Sequence, residues 1–337
     1  MTLFEQSTLH VAACYSNPFR WRTRRQLASD FRKHITAAHN VELHFVELAY
    51  GERPFDVTGD HPGDIQLRTQ HELFHKENLL NIGVRSFPKD WKYGAVIDAD
   101  LTFTRQDWAL EAIHQLQMYD FVQLFSSYSD LSGVDLGHGH RLIQTNNSFA
   151  ANYHDLGHVV PKHYANGGWK AGADDYAPGQ MTKTTVRRVG ATGGAWAFRR
   201  SAFDTVGGLL ERCILGHGDW FMAFGLLGEL APDMHVGGYS PDYLQYIRGW
   251  QERAAVLKKN VGFVDGHILH HFHGPKTLRG YGNRDTLLVK HSFSPHYDVH
   301  PDWQGVLQLT PDKPRLRDDI RRYFLSRSED LPHPVTS

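Results

Sequence analysis

Short apolar runs alternate with amphipathic stretches along the first hundred residues. Leu9-His10-Val11-Ala12-Ala13-Cys14 predicts a buried strand, and Tyr15-Ser16-Asn17-Pro18 after it is a loop signal. From Trp21 to Ala38, Leu27, Phe31 and Ile35 recur at helical spacing. Val41 to Leu48 alternates in part and predicts a second strand. A Pro/Gly-rich stretch, 51–64, leads to a short strand at Ile65-Gln66-Leu67-Arg68. His71 to Val84 then predicts a helix with Leu73, Leu80 and Val84 on its apolar face. The run Ala95-Val96-Ile97-Asp98-Ala99-Asp100-Leu101-Thr102-Phe103 completes a strand–helix–strand–helix–strand order, which predicts a parallel, doubly wound sheet.

Beyond it, Asp107 to Met118 reads as an amphipathic helix and Phe121 to Phe125 as a strand. From Ser126 to Arg188 the periodicity fades, and the expectation is loops covering a site. Thr192 to Arg200 is a small-residue turn entering a strand. The helix after it, from Ser201, ends at Gly207 and Gly208. Gly216-His217-Gly218-Asp219 opens another helix. Ser240-Pro241 starts a long one that ends near Lys258 and Lys259. A late strand, Val261 to Leu269, runs into His270-His271-Phe272-His273-Gly274. A basic helix with Arg315, Arg317, Arg321 and Arg322 follows Pro311. The expected organisation is one domain over 1–310, with a loop-rich insertion at 126–190, and a helix and tail over 311–337.

Composition narrows the function classes. The 337 residues can bury a large core, and 41% hydrophobic with 22% charged residues is usual for a globular protein. A net charge of −1 provides no global field for nucleic acid or an anionic membrane. Two cysteines, Cys14 and Cys213, rule out a disulfide scaffold and fit a reducing compartment. Met1-Thr2-Leu3-Phe4-Glu5 lacks the features of a signal peptide, and no apolar run approaches membrane-spanning length, so a cytoplasmic location is expected. The 23 His and the 12% aromatic residues stand out.

The chemistry centres on Asp98 and Asp100. In a strand, alternate side chains share a side, so both carboxylates would face one way, and a shared divalent cation would relieve their repulsion and could hold a diphosphate. The bland alternative is a solvated strand end. Ligands of doubly wound sheets sit at the carboxyl ends of the strands, which places Tyr15-Ser16-Asn17 on the same rim. Lys76 and Asn81 diverge by roughly 140° around their helix, so one ligand meets both only near its edge. Arg20, Arg22, Arg24 and Arg25 form either a solvated helix face or a phosphate contact. Asp219 is an N-cap or a functional carboxylate. Among the late histidines, alternation pairs His271 with His273.

Four pieces thus stand in a fixed order: a polar first strand end, an Asp-X-Asp, Gly193-Gly194 with Arg199 and a following Gly-Gly, and a Gly-Asp helix start. Together they resemble the glycosyltransferases of the GT-A fold, a Rossmann-like α/β class with a mixed, mainly parallel sheet flanked by helices. His270-X-X-His273-Gly274 with Arg279-X-Tyr281-X-X-Arg284 resembles a tail seen in uncharacterised bacterial and phage members. The resemblance implies that Asp98 and Asp100 bind the donor and a Mn²⁺ or Mg²⁺ ion, the second Asp more often touching the cation. It favours His270 and His273 as further metal ligands. It implies that Tyr15, Ser16 and Asn17 hold the base and ribose, that Lys76 and Asn81 contact the nucleotide, and that Arg279 and Arg284 suit phosphate oxygens. Gly193, Gly194 and Trp196 would line the sugar pocket, and Asp219 would act as general base. Gly218 departs from the pattern, because an acid is common there; one base candidate remains and the stereochemical outcome stays open. The activity so implied is metal-dependent transfer of a hexosyl or pentosyl group from a nucleotide-diphosphate sugar to an acceptor hydroxyl, on a glycan or a hydroxylated DNA base. The alternatives are nucleotidyl transfer, for which Tyr15-Ser16-Asn17-Pro18 is a poor phosphate loop, and a non-catalytic nucleotide-sugar-binding module.

Overall fold

Strands β1 (Leu9–Ser16), β2 (Val41–Tyr50), β3 (Asp64–Thr69) and β4 (Tyr93–Ile97) run parallel, with β1 between β2 and β4. They belong to a computed structural model that describes residues 7–133, 140–157, 189–230, 237–281 and 284–331. β5 (Leu101–Phe103) leaves the sheet, and β6 (Phe121–Gln123) returns to it. β7 (Ser127–Leu131) and β8 (Leu142–Asn147) form a hairpin-like antiparallel pair outside it. β9 (Ala195–Arg199) inserts antiparallel between β4 and β6, and β10 (Val261–Phe263) pairs parallel with β6. The large sheet therefore reads β10-β6-β9-β4-β1-β2-β3. It is mixed, mainly parallel and covered by helices, which is the fold class the sequence predicts.

Alternation sets the two buried faces. Leu9, Val11, Ala13, Ala95 and Ile97 pack under helices Arg22–Thr36 and Trp108–Gln115, which contribute Phe31, Ile35, Trp108 and Ile113. Ala12, Val96, Trp196 and Phe198 face Leu80 and Val84 of helix Lys76–Arg85 and the helices Arg200–Val206, Gly218–Leu226 and Pro241–Ala254. Burying the Leu, Val, Ile and Phe side chains among them contributes about 1.5–3 kcal/mol each.

Two expectations change. The late strand Val261–Leu269 is broken: Val264 still donates to Gln123 O (2.8 Å), then Asp265-Gly266 turns the chain. β11 (His267–His270) then joins a second sheet, β5-β11-β7-β8. The stretch expected as loops holds β7, β8 and helix Phe149–Leu156, the last capped by Ser148 Oγ. β8 escapes the periodicity argument because Leu142 and Ile143 are exposed. Positions 158–188 of that stretch, and 332–337 of the tail, lie outside the described residues. Among the described residues, no helix is long and apolar enough to cross a membrane.

Candidate functional site

β4 ends at Ile97, and Asp98-Ala99-Asp100 is a turn rather than a strand, so the alternation argument fails there. The two carboxylates part instead of facing one way. Asp98 is anchored by its N–H to Gly194 O (2.8 Å), and its carboxylate meets Lys76 Nζ at 3.2 and 3.3 Å. Asp100 Oδ2 lies 2.9 Å from His273 Nε2 and 3.7 Å from His270 Nε2. Each charge thus acquires its own cationic or imidazole partner. Burial raises Asp98 above its ordinary value despite Lys76. Burial also works to raise Asp100, but hydrogen bonds from His270 and His273 outweigh it and hold Asp100 well below the carboxylate range.

β11 stops at His270, which removes the alternation that would pair His271 with His273. His271 N donates to Asp100 O (2.9 Å), while its ring turns away to Thr102 Oγ1 (2.9 Å). His270 and His273 converge instead. Each is backed by a carboxylate. His270 Nδ1 donates to Asp130 Oδ1 (2.7 Å), and Lys276 (2.5 Å) and Gln144 (2.8 Å) hold Asp130 Oδ2. His273 Nδ1 lies 3.5 Å from Glu329 Oε2, and Arg24 and Arg327 clamp Glu329. Burial disfavours a charged imidazole, yet Asp100 and Asp130 push His270 up to about 9. At His273, burial and the charge of Arg279 prevail and lower it.

This group fits a divalent cation on its own terms. The donor atoms of Asp100, His270 and His273 lie within 4.8 Å of one another. Asp100 Oδ1 is buried with no hydrogen-bond partner. The carboxylates behind both imidazoles are what metal-bound histidines commonly use to fix ring orientation. Asp98, anchored on Lys76, stands outside this donor set.

A second group adjoins it. Lys76 opens helix Lys76–Arg85, and its Nζ lies 3.8 Å from Asp219 Oδ2 and 3.9 Å from Glu77 Oε1. Asp219 sits in the first turn of helix Gly218–Leu226, and its Oδ1 accepts from Trp220 N (2.9 Å). Burial opposes its ionisation, but Lys76 and Arg284 hold Asp219 below its ordinary value. A side chain at position 218 would strike Glu77, with Cδ 2.8 Å and Oε1 2.9 Å from its Cβ. The space beside Gly218 is therefore taken by a carboxylate from another helix. Burial pushes Glu77 up to about 7. A cleft lined by Lys76, Glu77, Asp98, Gly193, Trp196 and Asp219 opens at this second group.

Other expected residues are built into the walls. Tyr15 is buried, donates to Asp56 (3.1 Å) and accepts from Asn17 (2.9 Å), while Asn17 Oδ1 accepts from Trp21 N (3.0 Å) at the helix entry. Ser16 Oγ shares a hydrogen bond with Tyr50 (2.7 Å). Trp196 Nε1 donates to Thr192 O (2.8 Å). Asn81 points away from the cleft: its amide donates to Leu209 O (3.1 Å) and accepts from Leu209 N (2.9 Å), tying down that segment. Arg279 is buried against Tyr281 (3.0 Å) and Gly274 O (3.3 Å). The Arg284 guanidinium lies against the Phe74 and Tyr281 rings and donates to His217 (3.4 Å). In the basic helix Pro314–Ser326, Arg317, Arg321 and Arg322 pair with Asp318, Glu72 and Asp319.

The sequence reading missed Asp130, Glu77 and Glu329. Glu329 meets Arg24 across 305 positions, and no local pattern signals such a pairing. Gly218 is the one signal for Glu77, since a glycine at the opening of a helix fits space taken by a neighbour.

No protein-family model matches the sequence, and neither does any curated protein. Among solved structures, the chain is similar to the catalytic domain of Drosophila β1,4-galactosyltransferase 7 in complex with xylobiose. That match has 12% identity and a TM-score of 0.30, and covers 66% of this chain and 62% of that one. It is also similar to a mutant of the Drosophila enzyme in complex with manganese, UDP-Gal and xylobiose. There the identity is 13%, the TM-score 0.35, and the coverage 92% of this chain and 98% of that one.

Proposed function

We propose that this chain is a metal-dependent glycosyltransferase that moves a hexosyl or pentosyl group from a nucleotide-diphosphate sugar to an acceptor hydroxyl. One observation carries the reading: a His₂–carboxylate donor set and an Asp98–Lys76–Asp219 charge cluster meet at the carboxyl ends of parallel strands. Asp100, His270 and His273 would hold the cation, and two imidazoles favour Mn²⁺ over Mg²⁺. Bound there, the ion would supply the positive charge that a departing nucleoside diphosphate needs.

The chain's own groups divide the remaining work. Lys76 offers a cation to donor oxygens while it keeps Asp98 and Asp219 charged. Asp219 Oδ1 is held by Trp220 N, which leaves Oδ2 on the side of Gly193 to accept the proton of an acceptor hydroxyl. Glu77, held largely protonated below about pH 7, adds no second negative charge beside it. Gly193, Gly194 and Trp196 shape the space for the sugar, and Tyr15, Ser16 and Asn17 form the rim beside it. The acceptor, a glycan or a hydroxylated DNA base, is assigned by product analysis. The test is calorimetry with a panel of nucleotide sugars, with and without Mn²⁺, followed by product identification. Binding that needs Mn²⁺ and disappears in Asp100→Ala supports the reading; equal binding by that variant overturns it.

A further inference from the structure

The geometry points to a second divalent-metal site, at the opposite end of the sheet, formed by His10, Glu42 and His44. His10 opposes Glu42 in the register of β1 and β2, and His44 follows two residues on, so all three lie on one sheet face. Glu42 Oε2 is 3.4 Å from His10 Nδ1, and its Oε1 is 3.4 Å from His44 Nε2. One donor atom from each lies within 4.8 Å of the others. The site is separate from the cleft, because six residue steps along β1, about 20 Å, part His10 from Ser16.

The hydrogen-bond network leaves lone pairs aimed at one another. His10 is 7% exposed and His44 6%, and neither His10 Nδ1 nor His44 Nε2 has a hydrogen-bond partner. Ser86 Oγ donates its single proton to Gly83 O (2.6 Å), so it can only accept from His44 Nδ1–H (2.9 Å). That fixes the tautomer in which neutral His44 presents the Nε2 lone pair to the Glu42 carboxylate. A buried imidazole lone pair facing a carboxylate is unfavourable without a cation between them. Two imidazole nitrogens and one carboxylate make a transition-metal donor set with room for water as a further ligand, and Zn²⁺ suits it. Ser86 behind His44 plays the orienting part that such ligands require. Glu42, whose side chain is 51% exposed, leaves an entry from solvent. An ion held there would tie β1 to β2.

The test titrates metal-stripped full-length chain with Zn²⁺ by calorimetry and follows thermal unfolding. In an Asp100→Ala/His273→Ala background the site at the cleft is dismantled, and one equivalent should still bind and raise Tm. In that background His44→Gln should weaken binding roughly 100-fold and Ser86→Ala roughly 10-fold. In the otherwise unmodified chain, Glu42→Gln/His44→Gln should remove one equivalent from the total bound. Glu42 is exposed enough that Glu42→Gln alone keeps the fold, which circular dichroism checks, and it too should lose affinity. Zinc uptake that vanishes in the Asp100→Ala/His273→Ala background overturns the site. So does unchanged affinity in both Glu42→Gln and His44→Gln.

Discussion

Replacing Gly193 by alanine separates the chemistry of the cleft from the stability of the fold. Gly193 has no positive φ, so its backbone accepts a side chain without strain. A Cβ there would run into Asp219 Oδ2, with Asp219 Cγ at 3.2 Å and Cβ at 3.5 Å. Restoring ordinary contact requires that oxygen to withdraw by about 1 Å. The carboxylate cannot do so while Oδ1 keeps the N–H of Trp220 and Oδ2 stays near Lys76. A displacement of that size costs on the order of 100-fold in turnover, whereas stability should change by no more than about 1 kcal/mol. Gly194→Ala is the control: its φ is +95° and a Cβ would press on the Phe125 ring at 3.2 and 3.3 Å. That variant should lose about 1–3 kcal/mol of stability. Urea unfolding and sugar transfer measured on both variants decide the matter. Wild-type turnover by Gly193→Ala would refute the placement of Asp219 at the reacting centre.

Asp219→Asn should leave donor affinity within about twofold and slow transfer by roughly 10²–10⁴-fold, read from Kd and kcat measured separately. Asp130→Asn should weaken Mn²⁺ binding about 10–100-fold with the fold intact, because it replaces the charged acceptor behind His270 with a neutral amide; calorimetry reads this directly. Glu77 gives a pH signature. Its folded value, about 7, lies above the ordinary 4.5, so the folded state binds the extra proton between the two. The stability it contributes is full below about pH 4.5 and is lost as pH rises through 7. Glu77→Gln should therefore flatten the fall, and by pH 8.5 should exceed wild type by a few kcal/mol in urea unfolding.

The elements with strong periodicity were legible. Phe31 and Ile35, Leu80 and Val84, and the start at Ser240-Pro241 each mark a helix that forms. Where the chain changes sheets, periodicity misleads: Val261 to Leu269 reads as one strand, yet a turn at Asp265-Gly266 splits it between two sheets. The same limit governs the site. Asp98, Asp100, Asp219 and the late histidines were visible as residues, but the two-residue period that grouped the aspartates ends at Ile97. Their partners come from elsewhere in the chain: Lys76 by a parallel crossover, Asp130 from the second sheet, and Glu329 from beyond the last described helix. Asn81, selected for its polarity, serves the backbone at Leu209, a need that only tertiary structure creates.

The clamp around Glu329 has a temporal consequence. Arg24 is made early and His273 late, and their common carboxylate later still, with Asp330 receiving the N–H groups of Arg22 and Thr23 beside it (3.0 and 2.9 Å). A nascent chain stopped at residue 320 has every strand of the large sheet, yet holds Arg24 without its ion-pair partner and His273 without its backing acid. During synthesis the scaffold can therefore be complete while the corner of Asp100, His270 and His273 still lacks its backing. Those contacts form only once residues 327–330 have been made and docked against the first helix.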